Sequence, residues 1–263
     1  MSAEEKLVLS ERTEQGVVTI KFNSPENKNA MNEKMSEQFV ALVSELKSDK
    51  KVRAVILTGA GEAFSAGGNL DMLLAKTKIE KIKNKELMLK FYRNFLSISE
   101  LNVPVIAAIN GHAVGAGLCV ALSCDIRIAV EDAKLGLNFL SLGLHPGMGV
   151  TYFLPRLVGP ARAAELLFTG KILTASEALC YGLISHLVKS AELSDKIDSI
   201  IKLILNSGPE ATLALKQSLR ESLALNLSSC LDREAAAQSE SYAGGEFLEG
   251  IMAAKEKRKA KFC

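Results

Sequence analysis

Apolar and polar positions change period several times along the chain, and the changes divide it into elements. Leu7-Val8-Leu9 and Val17 to Phe22 flank Glu14-Gln15-Gly16, which predicts a β-hairpin. Ser24-Pro25-Glu26-Asn27 breaks the second strand. From Met31 the apolar positions Met35, Phe39, Leu42, Val43 and Leu46 share one face at helical spacing, with Asn29 or Asn32 available as cap. Val52 to Thr58 is a continuous β-branched run, which suits a strand buried on both faces. Residues 62–75 read as a glycine-rich loop passing into a short helix. The charged run 76–86 reads as a solvated, mobile face leading into a helix through about Leu101. Pro104 opens a second buried strand, VIAAIN. Gly111 to Gly117 is another glycine-rich turn before an apolar helix ending near Ser123. Asp125 to Val130 and Lys134 to Leu137 read as extended, and Gly143 to Gly149 as a loop. Helices are predicted at about 160–168, 175–181, 192–206, 210–225, 228–241 and 246–256. No repeat recurs at a fixed sequence period. Strand-and-helix units followed by helices alone predict an α/β core with an α-helical C-terminal region.

Composition narrows the function classes. With 263 residues, 48% hydrophobic and 24% charged, the chain reads as soluble and globular, long enough for a sizeable core. A net charge of +2 argues against a dedicated nucleic-acid binder. The basic character gathers at the end, in Lys255, Lys257, Arg258, Lys259 and Lys261. The apolar run Val103 to Ile109 is too short for a membrane span, and the acidic start MSAEEKLVLSE does not resemble a signal peptide. Cys119, Cys124, Cys180, Cys230 and Cys263 are odd in number and lack CxxC spacing. They predict neither a disulfide framework nor a structural zinc site, and point to a reducing cytoplasm. No metal is expected, because His112, His145 and His186 form no ligand motif.

Three glycine loops could cradle a ligand: Gly59 to Asn69, Gly111 to Gly117 and Gly143 to Gly149. None fits a dinucleotide fingerprint, because the third glycine is missing, and none ends in the GK[ST] of a phosphate loop. They could be simple tight turns. They could also form an oxyanion hole, in which unobstructed N–H groups from two loops converge on one carbonyl oxygen. Gly68 would supply one and Ala116, opening a helix, the other.

FSAGGNL (64–70), PVIAAINGHAVGAGL (104–118), Cys124-Asp125, LTASEALCYGLI (173–184) and EKRKAKF (256–262) together resemble the crotonase superfamily, the enoyl-CoA hydratase/isomerase family. The similarity runs in order from Val18 to the end. It implies a crotonase-like α/β spiral of ββα units (1–195) and an α-helical oligomerisation region (196–263). It implies an acyl-CoA thioester as substrate, coenzyme A entering only as part of it and no separate cofactor, and a homotrimer or hexamer without nucleic-acid or membrane partners. Gly68 and Ala116 are its oxyanion donors. Substrate-binding positions carried over are Lys28, Ala30, Ala66, Gly67, Gly68, Asn69, Leu70, Gly115 and Ala116. The basic ending is expected near a phosphate of a neighbouring subunit's coenzyme A.

The chain departs from the family pattern where hydratases carry two glutamates, which here are Cys119 and Phe139. Adding water to a double bond needs one group to activate water and another to protonate carbon. Phe139 can do neither, and Cys119 suits packing. No carboxylate occurs from Lys134 to Ala164. His145 is left as the candidate acid or base, with a structural loop histidine as the alternative. His112, Asn69 and Asp71 read more simply as structural or capping residues, and His186 has no role. The expected activity is enolate stabilisation of the hydratase/isomerase type without standard hydratase chemistry. Double-bond isomerisation, decarboxylation, C–C cleavage or another lyase reaction of a thioester, and non-catalytic acyl-CoA binding, are the alternatives. A serine hydrolase is disfavoured, because Ser65 and Ser141 lack partners. Residues 72–95 and 139–152 are expected to wall the acyl pocket.

Overall fold

In the computed structural model, which describes residues 5–262, the two N-terminal apolar runs pair antiparallel as β1 (Val8–Arg12) and β2 (Val17–Phe22). Cys263 and the first four residues of the acidic N-terminal stretch lie outside the described residues. β2 continues in parallel with β3 (Ala54–Gly59), β5 (Val105–Ile109), β7 (Ile126–Val130) and β10 (His186–Val188), giving a six-stranded sheet in the order β1-β2-β3-β5-β7-β10. β4 (Ala63–Ser65), β6 (His112–Val114), β8 (Lys134–Gly136) and β9 (Ile172–Thr174) form a second, four-stranded sheet.

Between these sheets the chain repeats one step. A strand of the large sheet is followed by one of the small sheet and then by a helix. β3 and β4 lead to α2 (Leu70–Lys76), β5 and β6 to α4 (Ala116–Leu122), and β7 and β8 to α5 (Val150–Val158). This is the expected ββα spiral. The segments joining successive turns differ in length, so the repeat leaves no fixed sequence period.

β4 and β6 are three residues each, too short for an alternating pattern, and the sequence presents them as glycine loops. The helix α3 (Lys81–Leu96) starts inside the charged run, where the Glu80 carboxylate accepts from the Ile82 and Lys83 N–H groups. It ends before Leu101, in a 3-10 turn over Ser97–Glu100. α5 is unexpected from the sequence, because Pro155 inside it reads as a breaker.

Asn32 caps α1 (Glu33–Ser48), accepting from the Met35 N–H at 2.8 Å. Asn29, the other capping candidate, is buried. Its side chain donates to the Ala60 and Ala63 carbonyls and accepts from the Ser24 N–H. Lys28 and Asn29 both adopt left-handed backbone, with φ of 51° and 54°, at a cost on the order of 1 kcal/mol each. The Asn29 bonds hold that shape against the end of β3. Phe22, Phe39, Phe64 and Phe95 interlock in the core behind it.

The small-sheet side is completed by α6 (Pro160–Thr169) and α7 (Ala175–Cys180). The C-terminal region is α-helical as expected: α8 (Leu193–Leu205), α9 (Pro209–Ser222), α10 (Leu227–Ala243) and α11 (Gly245–Lys255). α8 lays Ile197 and Ile201 on Val17, Ala54, Ile106 and Ile128 of the large sheet. The expected division at 195 therefore falls within a helix docked on the core. On α9, Lys216 is only 10% exposed and donates to the Val103 carbonyl and to Asp125 Oδ2, both at 2.7 Å. The same carboxylate oxygen accepts from Val105 N–H, so one ion pair ties α9 to the start of β5. Lys216→Met is expected to lower stability by about 2 kcal/mol, the scale of a hydrogen bond to a charged partner. A urea titration of both proteins checks this. Among the described residues no helix is long and apolar enough to cross a membrane.

Candidate active site

The first glycine loop is shaped by its contacts with residues 28–31. Ala66 N–H donates to the Lys28 carbonyl at 2.8 Å, and Ser65 Oγ donates to the Asn29 carbonyl. Met31 then spans Gly68: its N–H donates to the Gly67 carbonyl at 2.7 Å and its carbonyl accepts from Asn69 N–H at 2.9 Å. In such a parallel bridge the residue being spanned turns its own N–H to the opposite side. No acceptor among the described residues takes the Gly68 N–H. Asn69 caps α2, its side chain accepting from Met72 N–H at 2.9 Å.

The second loop abuts the first. Gly67 has φ of 91°, and a Cβ there would lie 2.7 Å from the Val114 carbonyl oxygen and 3.3 Å from Ala116 N. A Cβ on Gly117 would lie 2.7 Å from Ser65 Oγ. Glycine at both positions is thus required for the backbones of the two loops to touch. Gly115, with φ of 53° and ψ of −123°, donates its N–H to the Gly136 carbonyl and turns the chain into α4. Ala116 is the first residue of that helix, so its N–H has no intrahelical acceptor.

Both loops open on one cavity of about 300 Å³. Ala66, Gly67, Gly68, Leu70, Gly115, Ala116 and His145 line it, so most of the residues singled out in the sequence meet there. Lys28, Ala30 and Asn69 do not reach its wall. They act through backbone bonds behind it, and the Lys28 side chain is exposed. The remaining wall is mostly apolar, with Met72, Met88, Phe91, Phe139, Leu142 and Met148 drawn from the two segments expected to form it.

The polar side chains on the wall are Tyr92, Asn138 and His145, and no carboxylate, lysine or arginine joins them among the described residues. His145 is exposed at the rim, with Nδ1 2.8 Å from the Pro146 carbonyl oxygen. That bond places the proton on Nδ1 and leaves Nε2 as acceptor. Phe139 faces the cavity where a carboxylate was sought. Cys119 is fully buried behind it, its thiol 3.8 Å from the Gly147 carbonyl, and burial drives its pKa far up, so it stays protonated.

Outside the cavity, His112 Nδ1 accepts from Lys134 N–H at 3.2 Å. Asp71 is exposed on α2. Ser65 is buried and bonded to backbone, in no arrangement with a histidine. In the basic ending, Arg258 pairs with Glu249 and Glu256 of its own chain. Cys119, Cys124, Cys180 and Cys230 are free thiols. Tyr92 and Asn138 are polar wall residues that the sequence does not single out, Tyr92 lying within the expected wall segment 72–95. Tyr92 sits near the end of α3, in a segment whose charged start masks the helical period.

A family model described as enoyl-CoA hydratase/isomerase matches residues 12–263. The short-chain-enoyl-CoA hydratase of Clostridium acetobutylicum is 36% identical, over 96% of this chain and 95% of that one. The crotonyl-CoA hydratase of Syntrophomonas wolfei is 34% identical, over 99% and 98%. The crystal structure of an enoyl-CoA hydratase from Bacillus anthracis superposes with a TM-score of 0.92 at 33% identity, covering 97% of this chain and 98% of that one.

Proposed function

This chain belongs to the enoyl-CoA hydratase/isomerase family, and from that premise we propose that it holds an acyl-CoA thioester oxygen between the N–H groups of Gly68 and Ala116. The observation that carries the reading is their common setting. Two N–H groups without acceptors among the described residues border one cavity, on loops close enough to need glycine at 67 and 117. Donors fixed in this way stabilise negative charge on the oxygen without reorganising as it develops. The acyl α-carbon becomes more acidic, and an enolate becomes accessible. His145, through Nε2, or an ordered water takes the α-proton.

The apolar wall suits an uncharged acyl chain, because a carboxylate placed there would be desolvated without a cation beside it. The coenzyme A moiety would run past residues 28–30 and Ala66. The resemblance further supports a homotrimer or hexamer, and Leu215 and Leu219 on α9, Leu223 just after it, and Leu227 and Leu231 on α10 supply exposed apolar surface for it. The absence of wall carboxylates favours enolate chemistry such as isomerisation or C–C cleavage over ordinary hydration.

Butyryl-CoA in D2O, followed by proton NMR and by calorimetry, tests the proposal. Binding together with enzyme-dependent exchange of the α-protons is the expected result. Binding without exchange would support a non-catalytic acyl-CoA binder instead, and no binding would overturn the reading.

A further inference from the structure

One hydroxyl stands on the cavity wall without a hydrogen-bond partner among the described residues. Tyr92 is half-buried, and among the described residues no group donates to its oxygen or accepts from its O–H. Its position is enforced from across the cavity. Any Cβ at residue 147 would collide with the Tyr92 hydroxyl, so Gly147 gives the phenol its space. The Cys119 thiol, behind the wall, lies 3.8 Å from the carbonyl oxygen of that same glycine.

Each neighbouring polar group is unsuited to delivering a proton there. The Asn138 amide does not give up protons near neutral pH. His145 is exposed at the rim with its Nδ1 proton committed to Pro146. Cys119 is buried behind the wall and does not line the cavity. The phenol is different. Burial pushes the Tyr92 pKa above the ordinary tyrosine value, so the group stands protonated over the working pH range. An acid that stays neutral beside an apolar wall is fitted to give a proton to a carbanion.

Resting on the enolate reading above, we propose that Tyr92 is the catalytic acid that returns a proton to the acyl α-carbon. The phenolic O–H bond breaks and its electron pair stays on the tyrosine oxygen. The proton forms the new Cα–H bond with the π electrons of the enolate, and the thioester C=O is restored. The group that took the α-proton releases it to solvent and the phenolate takes one back from solvent, so the proton count closes and the cycle needs no further reagent.

Tyr92→Phe removes only the oxygen and keeps the packing. Butyryl-CoA binding is expected to stay within about twofold, while α-deuterium exchange falls by about 10²-fold, the lower end of what a positioned acid contributes. Thermal unfolding of the variant checks that the fold is intact. Full exchange by Tyr92→Phe, with the unaltered protein active, overturns the proposal alone, since another group then both takes and returns the proton. A protein that binds butyryl-CoA but exchanges nothing in either form overturns the enolate reading and this proposal with it.

Discussion

Replacing Ala116 with proline is expected to slow α-proton exchange of butyryl-CoA by about 10²–10³-fold, the cost of losing one oxyanion donor. Proline removes the N–H and sets its ring Cδ where the amide hydrogen stood, and the first position of a helix is where it is best tolerated. Ala116 holds that position in α4. The residue before a proline must keep away from helical ψ, and Gly115 already has ψ of −123° and carries no side chain to clash. The variant is therefore expected to fold and to retain coenzyme A ester binding, measured by circular dichroism and calorimetry, while losing turnover. Undiminished exchange would remove Ala116 from the mechanism.

Hydration of crotonyl-CoA is expected to run about 10²–10⁴-fold below the rate of a hydratase with positioned acid and base groups. Water needs activation, and the wall offers Tyr92, Asn138 and His145 but no carboxylate. Phe139→Glu would put a carboxylate on that wall, because the phenylalanine ring already faces the cavity. We expect it to raise hydration by about 10²-fold, read as loss of the enoyl-thioester absorbance. Rapid hydration by the unaltered protein would show that the missing carboxylates are replaced by something else.

Much of this molecule could be read before its coordinates. The large-sheet strands announced themselves as β-branched runs, and α1 as a 3.6-residue stripe. The two glycine loops were found as loops, since Gly67 and Gly117 stand where the backbones of two strands meet. Three things were hidden, for different reasons. β4 and β6 are too short to show a period. α5 contains Pro155, and local propensity argued against a helix that tertiary packing nevertheless forms. Tyr92 and Gly147 come together from α3 and a distant loop, and the need for glycine at 147 is visible only once the phenol stands opposite it. Lys28, Ala30 and Asn69 lie beside the cavity and shape it by main-chain and capping bonds without lining it.

The central claim is that main-chain amides of residues 68 and 116 grip the thioester oxygen. Infrared difference spectroscopy of bound butyryl-CoA, with the thioester carbonyl carbon isotopically labelled, reads that grip directly. The account predicts that the carbonyl stretch moves to lower wavenumber on binding, and that Ala116→Pro gives back a substantial part of the shift. A carbonyl band at its solution position in the bound complex, with occupancy confirmed by calorimetry, would contradict it.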